Sequence, residues 1–382
     1  MTPARPPATP PTPALATRRS FREFLWDWLD VVGPAVALIG IFLFFTALVP
    51  EWTSADFHSP SAFFSQLNRF ANFDNISNIL RQSSMTAVAS LGMTFIIIAG
   101  GIDLSAGSLA ALSCCIVAVT LNKTAGQSTA LVNHPALWPL IAAIVGVAVG
   151  VLAGLFNGVL VTGLRIVPFI ITLGTMMILR GLAKGFANES EVPTSTNWLY
   201  SLLAPPDGPT AWMIFSPAIW ITLFLAILMA LVLNYSRFGR HVIAVGSNEN
   251  TARLCGIPVN RTKLLVYTLG GLFSGIAGLF FYSRIRQGSP TTADAFELDV
   301  IAAVVIGGAS LSGGKGSIFG SLVGALILNV IARGCSQIHI PTFAQHFVGS
   351  QTGLRTYIQQ IVTGVIIILA VLLDRLRQRR QT

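Results

Sequence analysis

From residue 31 onward the chain is a succession of long apolar runs separated by short polar or glycine-rich breaks. The runs fall at residues 31–49, 76–99, 105–121, 138–162, 168–186, 217–233, 264–282, 298–306, 318–332 and 358–373. Most approach the roughly 20 residues that carry a helix across about 30 Å of hydrocarbon. The pattern therefore predicts an all-α, polytopic membrane protein with about ten transmembrane helices. Helical periodicity does not sort their faces, because a helix surrounded by protein and lipid is apolar all round. The run 298–306 is short and ends at Gly307, which marks it as a broken or re-entrant element.

One break carries a carboxylate. Gly100-Gly101-Ile102-Asp103-Leu104-Ser105-Ala106-Gly107-Ser108 separates two apolar runs. An ionisable group inside a span costs about 2.5–3.5 kcal/mol on the insertion scale, so something must make Asp103 tolerable. The glycine pair can take positive φ and lets backbones approach. Asp103 and Ser105 are good cap residues for a new helix. Gly100, Gly101, Asp103 and Ser105 are thus expected to form a structural helix break, with an ion or substrate site at Asp103 as the other reading. A similar string, Gly307-Gly308-Ala309-Ser310-Leu311-Ser312-Gly313-Gly314, also lies between apolar runs. Repeated halves with interrupted helices are common in transporters, and the echo suggests one.

Composition agrees with a membrane protein. Of 382 residues, 53% are hydrophobic and only 10% charged, against about 25% charged in a soluble domain. The net charge of +9 is scattered through loops and tails, without the aromatic-interleaved basic patch of a nucleic-acid surface, so no nucleic-acid partner is expected. Residues 1–30 read as a Pro-rich disordered tail, 31–374 as the transmembrane domain and 375–382 as a basic tail. The first apolar run is longer than the ~7–15 residues of a cleavable signal core. Basic residues flank both ends (Arg18, Arg19, Arg22; Arg375, Arg377, Arg379, Arg380) and crowd residues 235–263, while 187–215 holds Glu189, Glu191 and Asp207 and no Lys or Arg. The positive-inside rule then places both termini and the loop 235–263 in the cytoplasm. Arg165 agrees with that orientation; Arg284, Arg286, Arg333 and Arg355 run against it.

Enzymatic signatures fail. Gly313-Gly314-Lys315-Gly316 resembles a phosphate loop, but Gly316 stands where Ser or Thr must hold Mg²⁺, and Ala309 where the first Gly belongs. Gly308-Ala309-Ser310-Leu311-Ser312 lacks the final Gly of a nucleophile elbow. The five histidines make no ligand spacing. Cys114, Cys115, Cys255 and Cys335 make no C-x-x-C pair. No catalytic residue, bound metal or bound cofactor is expected of this chain.

The basic loop holds a short helix signal in Gly246-Ser247-Asn248-Glu249-Asn250-Thr251-Ala252-Arg253-Leu254-Cys255-Gly256-Ile257-Pro258. Ser247 or Asn248 can cap it, Glu249 favours its first turn, Gly256 suits the residue after its end, and Pro258 stops continuation. Ala252, Leu254 and Cys255 are expected to give it an apolar stripe. Such a helix lies on the membrane interface or docks into a soluble partner.

Taken together, Gly100-Gly101-Ile102-Asp103-Leu104-Ser105, the loop Ala244-Val245-Gly246-Ser247-Asn248-Glu249 continuing to Ile257, and Glu297-Leu298-Asp299 with Ile306-Gly307-Gly308 resemble the permease subunit of ribose-type ABC sugar importers, from about residue 75 onward. Ser247 departs from the pattern, which often has a second Gly there. The resemblance implies a bacterial inner-membrane protein that moves a monosaccharide by alternating access. Its partners would be a second permease, identical or related, two cytoplasmic ATPase subunits that bind ATP and Mg, an extracytoplasmic sugar-binding protein, and membrane lipid. It also favours docking for the loop helix, with Gly246, Ser247, Asn248, Glu249, Thr251, Ala252, Arg253, Gly256 and Ile257 coupling to the ATPase. Polar residues within spans (Arg81, Gln82, Asn157, Thr172, Thr175 and Arg180) are candidates for the pathway, with helix packing or snorkelling as their other roles. The competing mechanism is an ion-coupled secondary transporter with Asp103 as its ion site.

Overall fold

The computed structural model describes residues 21–49, 67, 69–125, 136–207, 212–338, and 360–362, 364, 365, 368 and 372. Backbone polar groups in hydrocarbon must be satisfied within the segment, so the apolar runs fold as helices. These are α1 (Phe21–Leu48), α2 (Phe73–Ile98), α3 (Ala106–Ala125), α4 (Leu137–Leu164), α5 (Pro168–Phe186), α6 (Pro217–Tyr235), α7 (Arg237–Ser247), α8 (Glu249–Leu254), α9 (Val259–Ile285), α10 (Phe296–Ile306) and α11 (Ile318–Gln337). Pro168 and Pro217 open their helices, where a missing N–H costs nothing. Each of the first nine expected runs falls on a helix; the tenth, 358–373, lies largely outside the described residues. Among the described residues, five helices (α4, α5, α6, α9 and α11) are long and apolar enough to cross a membrane.

One expectation changes and another is sharpened. Residues 21–30, assigned above to the tail, begin α1: Phe24, Leu25, Trp26 and Trp28 follow Arg22 with no Pro or Gly before Gly33 to stop the helix. Residues 1–20 and 375–382 lie outside the described residues. The short run near 298–306 is an 11-residue helix, about 16 Å long, roughly half a hydrocarbon thickness. It is a half-length element, as its Gly-terminated sequence suggested.

α9 is central and packs on α2, α3 and α4. Against α4 the contact is glycine on glycine: Gly150 faces Gly271 and Gly275, Gly154 faces Tyr267 and Gly271, and Gly158 faces Leu264. A Cβ on Gly150 would stand 2.7 Å from the Gly271 carbonyl oxygen, so no other residue fits without spreading the helices. Small residues every fourth position drive such close approach where lipid provides no hydrophobic force between helices. α2 is buried from residue 83 to 98 despite its serines and threonines. Ser84 and Ser90 return to backbone oxygens, and Thr94 Oγ1 bonds Ser90 O (2.6 Å) and shares a bond with Ser321 Oγ on α11 (2.7 Å), whereas Ser83 Oγ has no partner among the described residues. The outer faces of α4, α5 and α6 expose Leu152, Met177 and Phe224, an apolar surface suited to lipid.

A two-residue antiparallel ladder, β1 (Val192–Pro193) with β2 (Gln287–Gly288), ties the acidic loop 187–215 to the end of α9. Tyr200 Oη donates to Arg286 O (3.0 Å), and the Arg286 guanidinium lies over the Tyr200 ring at 5.7 Å. Arg333 Nε bonds Asn75 Oδ1 (2.8 Å). Two of the arginines that oppose the charge rule are thus spent on packing; Arg355 lies outside the described residues.

Candidate functional site

Three helices stop in the same way. At α2, Gly100 has φ +80°, its N–H bonds Ile97 O (2.9 Å), and Gly101 N–H bonds Ile96 O (2.9 Å). At α10, Gly308 has φ +93° with Gly308 N–H on Val305 O and Ala309 N–H on Val304 O. At α8, Gly256 has φ +80° with Gly256 N–H on Arg253 O and Ile257 N–H on Ala252 O. Each pair of bonds is a Schellman stop, which needs a left-handed residue and so favours glycine. The sequence echo is therefore a repeated helix stop, shifted by one residue: Gly100 matches Gly308, not Gly307.

The stop of α2 meets the end of α7 and the loop that follows α10. Gly314 N–H bonds Ile98 O across the two loops (2.8 Å). A Cβ on Gly246, near the end of α7, would overlap that same Ile98 oxygen and lie 2.7 Å from Gly314 N. A Cβ on Gly313 would lie 2.7 Å from Gly246 O and 3.1 Å from Gly100 Cα. The ends of α2 and α7 and the α10–α11 loop thus meet backbone to backbone.

α8 follows directly. Asn248 Oδ1 accepts from Thr251 N (2.9 Å) and caps it. Glu249 accepts from Lys263 Nζ on α9 (2.6 Å) and from Arg253 Nη2 (3.2 Å). The Lys263 hydrogen bond first, and Arg253 after it, hold the Glu249 carboxyl below the usual carboxylate range. Ala252 is buried with Val245 and Val259. Thr251, Arg253, Leu254 and Cys255 are exposed, Leu254 at 88%. The apolar stripe expected from Ala252, Leu254 and Cys255 does not form. Positions 252 and 254 are about 200° apart on a helix of 3.6 residues per turn, so one faces the protein and the other faces out. Ser247 Oγ turns back to Ile243 O (2.8 Å).

Asp103 is buried, 1% exposed, in the extended link between α2 and α3. Its Oδ1 accepts from Ser105 N (2.7 Å) and Ser105 Oγ (2.6 Å), and Asn157 Nδ2 on α4 donates to Ser105 Oγ (2.8 Å). The carboxylate thus holds Ser105, the residue before α3, rather than N–H groups inside that helix. Asn157 Oδ1 and Tyr267 Oη are buried with no hydrogen-bond partner among the described residues.

Of the other pathway candidates, Thr172 Oγ1 bonds Ile102 O (3.2 Å) and Thr175 Oγ1 bonds Thr172 O (3.2 Å), both buried in helix packing. Arg180 Nη1 donates to Pro290 O (2.9 Å) and Thr292 O (2.7 Å), and Nη2 to Ala293 O (3.2 Å), holding the segment that leads into α10. Arg81 and Gln82 alone reach open space. They line a cavity of about 220 Å³ with Asn78, Tyr200, Arg284 and Arg286. Arg81 also bonds Asn78 and reaches Leu203 O (3.3 Å). A second cavity of about 240 Å³ is lined by Gln82, Thr86, Phe281, Arg284, Asp299 and Asn329. The two share Gln82, Met85 and Arg284. Sequence reading missed Arg284, Asp299 and Asn329, although a charged or amide residue inside an apolar run was the available signal.

A bundle of apolar helices around a central glycine-faced helix, with a half-length helix beside a polar cleft, is the architecture of a multi-pass membrane protein. Residues 75–371 match the family described as branched-chain amino acid transport system / permease component, and the chain belongs to it. It is 37% identical to the ribose import permease protein RbsC of Bacillus subtilis, over 79% of this chain and 84% of that one. It is 36% identical to the L-arabinose transport system permease protein AraH of Escherichia coli (81% and 85%), and 32% to the xylose transport system permease protein XylH of the same organism (92% and 93%). No solved structure matches the chain.

Proposed function

We propose that this chain is the transmembrane subunit of an ATP-driven importer of a monosaccharide. The observation that carries this reading is the similarity, across about four fifths of the chain or more, to permeases named for ribose, L-arabinose and xylose. Two permeases, identical or related, enclose the pathway through about ten spans each, with both termini in the cytoplasm. ATP and Mg reside on cytoplasmic ATPase subunits, and an extracytoplasmic binding protein delivers the sugar. The α7–α8 segment is the coupling element. Its exposed Thr251, Arg253 and Leu254 meet the ATPase, while Gly246, Ala252 and Ile257 seat it on the bundle and Gly256 ends α8. A push on α8 reaches α2 and α10 through the Gly246–Ile98–Gly314 contacts.

Reconstitution tests the reading. Uptake into proteoliposomes requires ATP, the ATPase subunit and the binding protein. Uptake by this chain alone under an H⁺ or Na⁺ gradient overturns it in favour of an ion-coupled carrier. Leu254→Asp, which touches nothing inside the chain, is expected to abolish ATPase co-purification with insertion intact; normal co-purification refutes the docking assignment. Exchanging the charges of Glu249 and Arg253 is a less clean probe, because a Lys at position 249 also faces Lys263.

A further inference from the structure

The cleft formed by α2, α9, α10 and α11 carries more polar chemistry than packing requires. Gln82 and Thr86 stand one turn apart on α2, Asp299 lies in the first turn of α10, Asn329 is on α11, and Arg284 closes α9. Asp299 and Arg284 are exposed and form no ion pair with each other or with another side chain among the described residues. Charged groups turned to lipid cost about 2.5–3.5 kcal/mol each, so this face looks onto water or a polar ligand. With the adjoining cavity, which shares Gln82, Met85 and Arg284, the space reaches the roughly 300–1,000 Å³ of small-molecule sites.

The lining is chemically mixed. Asp299 only accepts, Arg284 only donates, and the Gln82 and Asn329 carboxamides and the Thr86 hydroxyl do both. A sugar hydroxyl is itself donor and acceptor, and the Phe281 ring at the same cavity offers an apolar face. Asp294, which pairs with Arg180 at 4.0 Å, lines the same wall, so charges of both signs are present and no single sign dominates the cleft. The mouth of the cleft is fixed by Arg180, which holds residues 290–293 ahead of the half-helix α10.

We propose that Gln82, Asp299 and Asn329, with Arg284 at the mouth, form a weak saccharide-binding site on the permease itself, distinct from the site on the binding protein. The assignment rests on the importer reading above. The site holds a neutral polyhydroxyl ligand at the start of α10 through hydrogen bonds from helices that are distant in sequence. Its position joins the cleft to the coupling element, because α10 ends at Gly308, beside the loop that bonds Ile98.

Saturation-transfer NMR on the purified permease–ATPase complex tests it, with ribose, L-arabinose, xylose and leucine as probes at millimolar concentration. At least one pentose is expected to give a transfer signal and leucine none. In Asp299→Asn/Asn329→Leu that signal is expected to fall at least fivefold. Should the double variant not assemble, Asp299→Glu and Gln82→Asn keep each functional group but move it by one methylene, and each is expected to halve the signal or more. No pentose signal in the wild type, an unchanged signal in the assembled variants, or a leucine signal in place of the pentoses overturns the proposal. Failure of the importer reading shows separately, as the absence of ATP-dependent uptake by the wild-type complex.

Discussion

The α4–α9 seam and the α2–α10–α11 face use the same small residues to opposite ends. In the seam, Gly150, Gly154 and Gly158 meet Gly271, Gly275 and the α9 backbone over several turns, and Ser113 Oγ on α3 ties the two helices by donating to Gly146 O (2.9 Å) and Gly275 O (3.0 Å). On the other face α10 covers only half a membrane thickness, its approach is held by one arginine, and a polar cleft opens beside it. Glycine in the seam removes room for relative motion. Glycine at Gly100, Gly246, Gly313 and Gly314 brings three chain segments backbone to backbone at one junction, while Gly307, Gly320 and Gly324 pack the short α10 closely on α11. In the importer proposed above, the first region would serve as the fixed frame and the second as the part that moves.

Breaking the frame should have the largest effect. Gly154→Leu sets a side chain against Tyr267 O and the Gly271 backbone. We expect a cost beyond the roughly 1–3 kcal/mol of ordinary overpacking, seen as loss of monodisperse protein after detergent extraction; a stable variant contradicts a fixed seam. Next comes the junction. Gly246→Ala is expected to leave insertion intact and reduce ATP-driven uptake about tenfold or more, with ATP hydrolysis continuing. Uptake and hydrolysis falling together would instead indicate general misfolding.

Asp103 separates the two roles at smaller scale. Asp103→Asn keeps an oxygen for Ser105 N–H and should shift the melting temperature little, whereas Asp103→Leu strands that buried N–H at about 1–3 kcal/mol. A folded but transport-dead Asp103→Asn would restore a functional carboxylate. The smallest effect concerns Glu249. Its carboxyl is held down in the folded state, so the stabilisation is present above the unfolded value near 4.3 and is lost as pH falls through the lower folded value. For a partly exposed pair it amounts to less than about 1 kcal/mol. The difference in melting temperature between wild type and Glu249→Gln should hold from pH 8 to about 5 and shrink below. A difference that vanishes between pH 7 and 6 refutes the assignment.

Local features were legible in the sequence and distant ones were not. Asn248 and Gly256 bound α8 because capping acts over three or four residues, and the stop at Gly100 and the shortness of α10 followed from the same logic. The apolar stripe on α8 failed because residues two apart cannot share a helical face. The glycines at 146, 150, 154 and 158 recur every fourth residue, a signal of close helix packing that is legible in the sequence but does not say which helix they meet. Asn157 needed Ser105, 52 residues away, to reveal its packing role. The cleft gathers four helices whose order in space no spacing along the chain expresses.

The meeting of Gly246, Gly314 and the Ile98 carbonyl has a consequence for timing. A linkage through side chains has slack, since rotamers can absorb a displacement before it passes on. Backbone against backbone, closed by a 2.8 Å hydrogen bond, has almost none. In the coupling role proposed for α7–α8, a linkage without backlash would keep its two ends in phase: the outlet would neither lag behind the stroke that opens it nor open before the stroke begins.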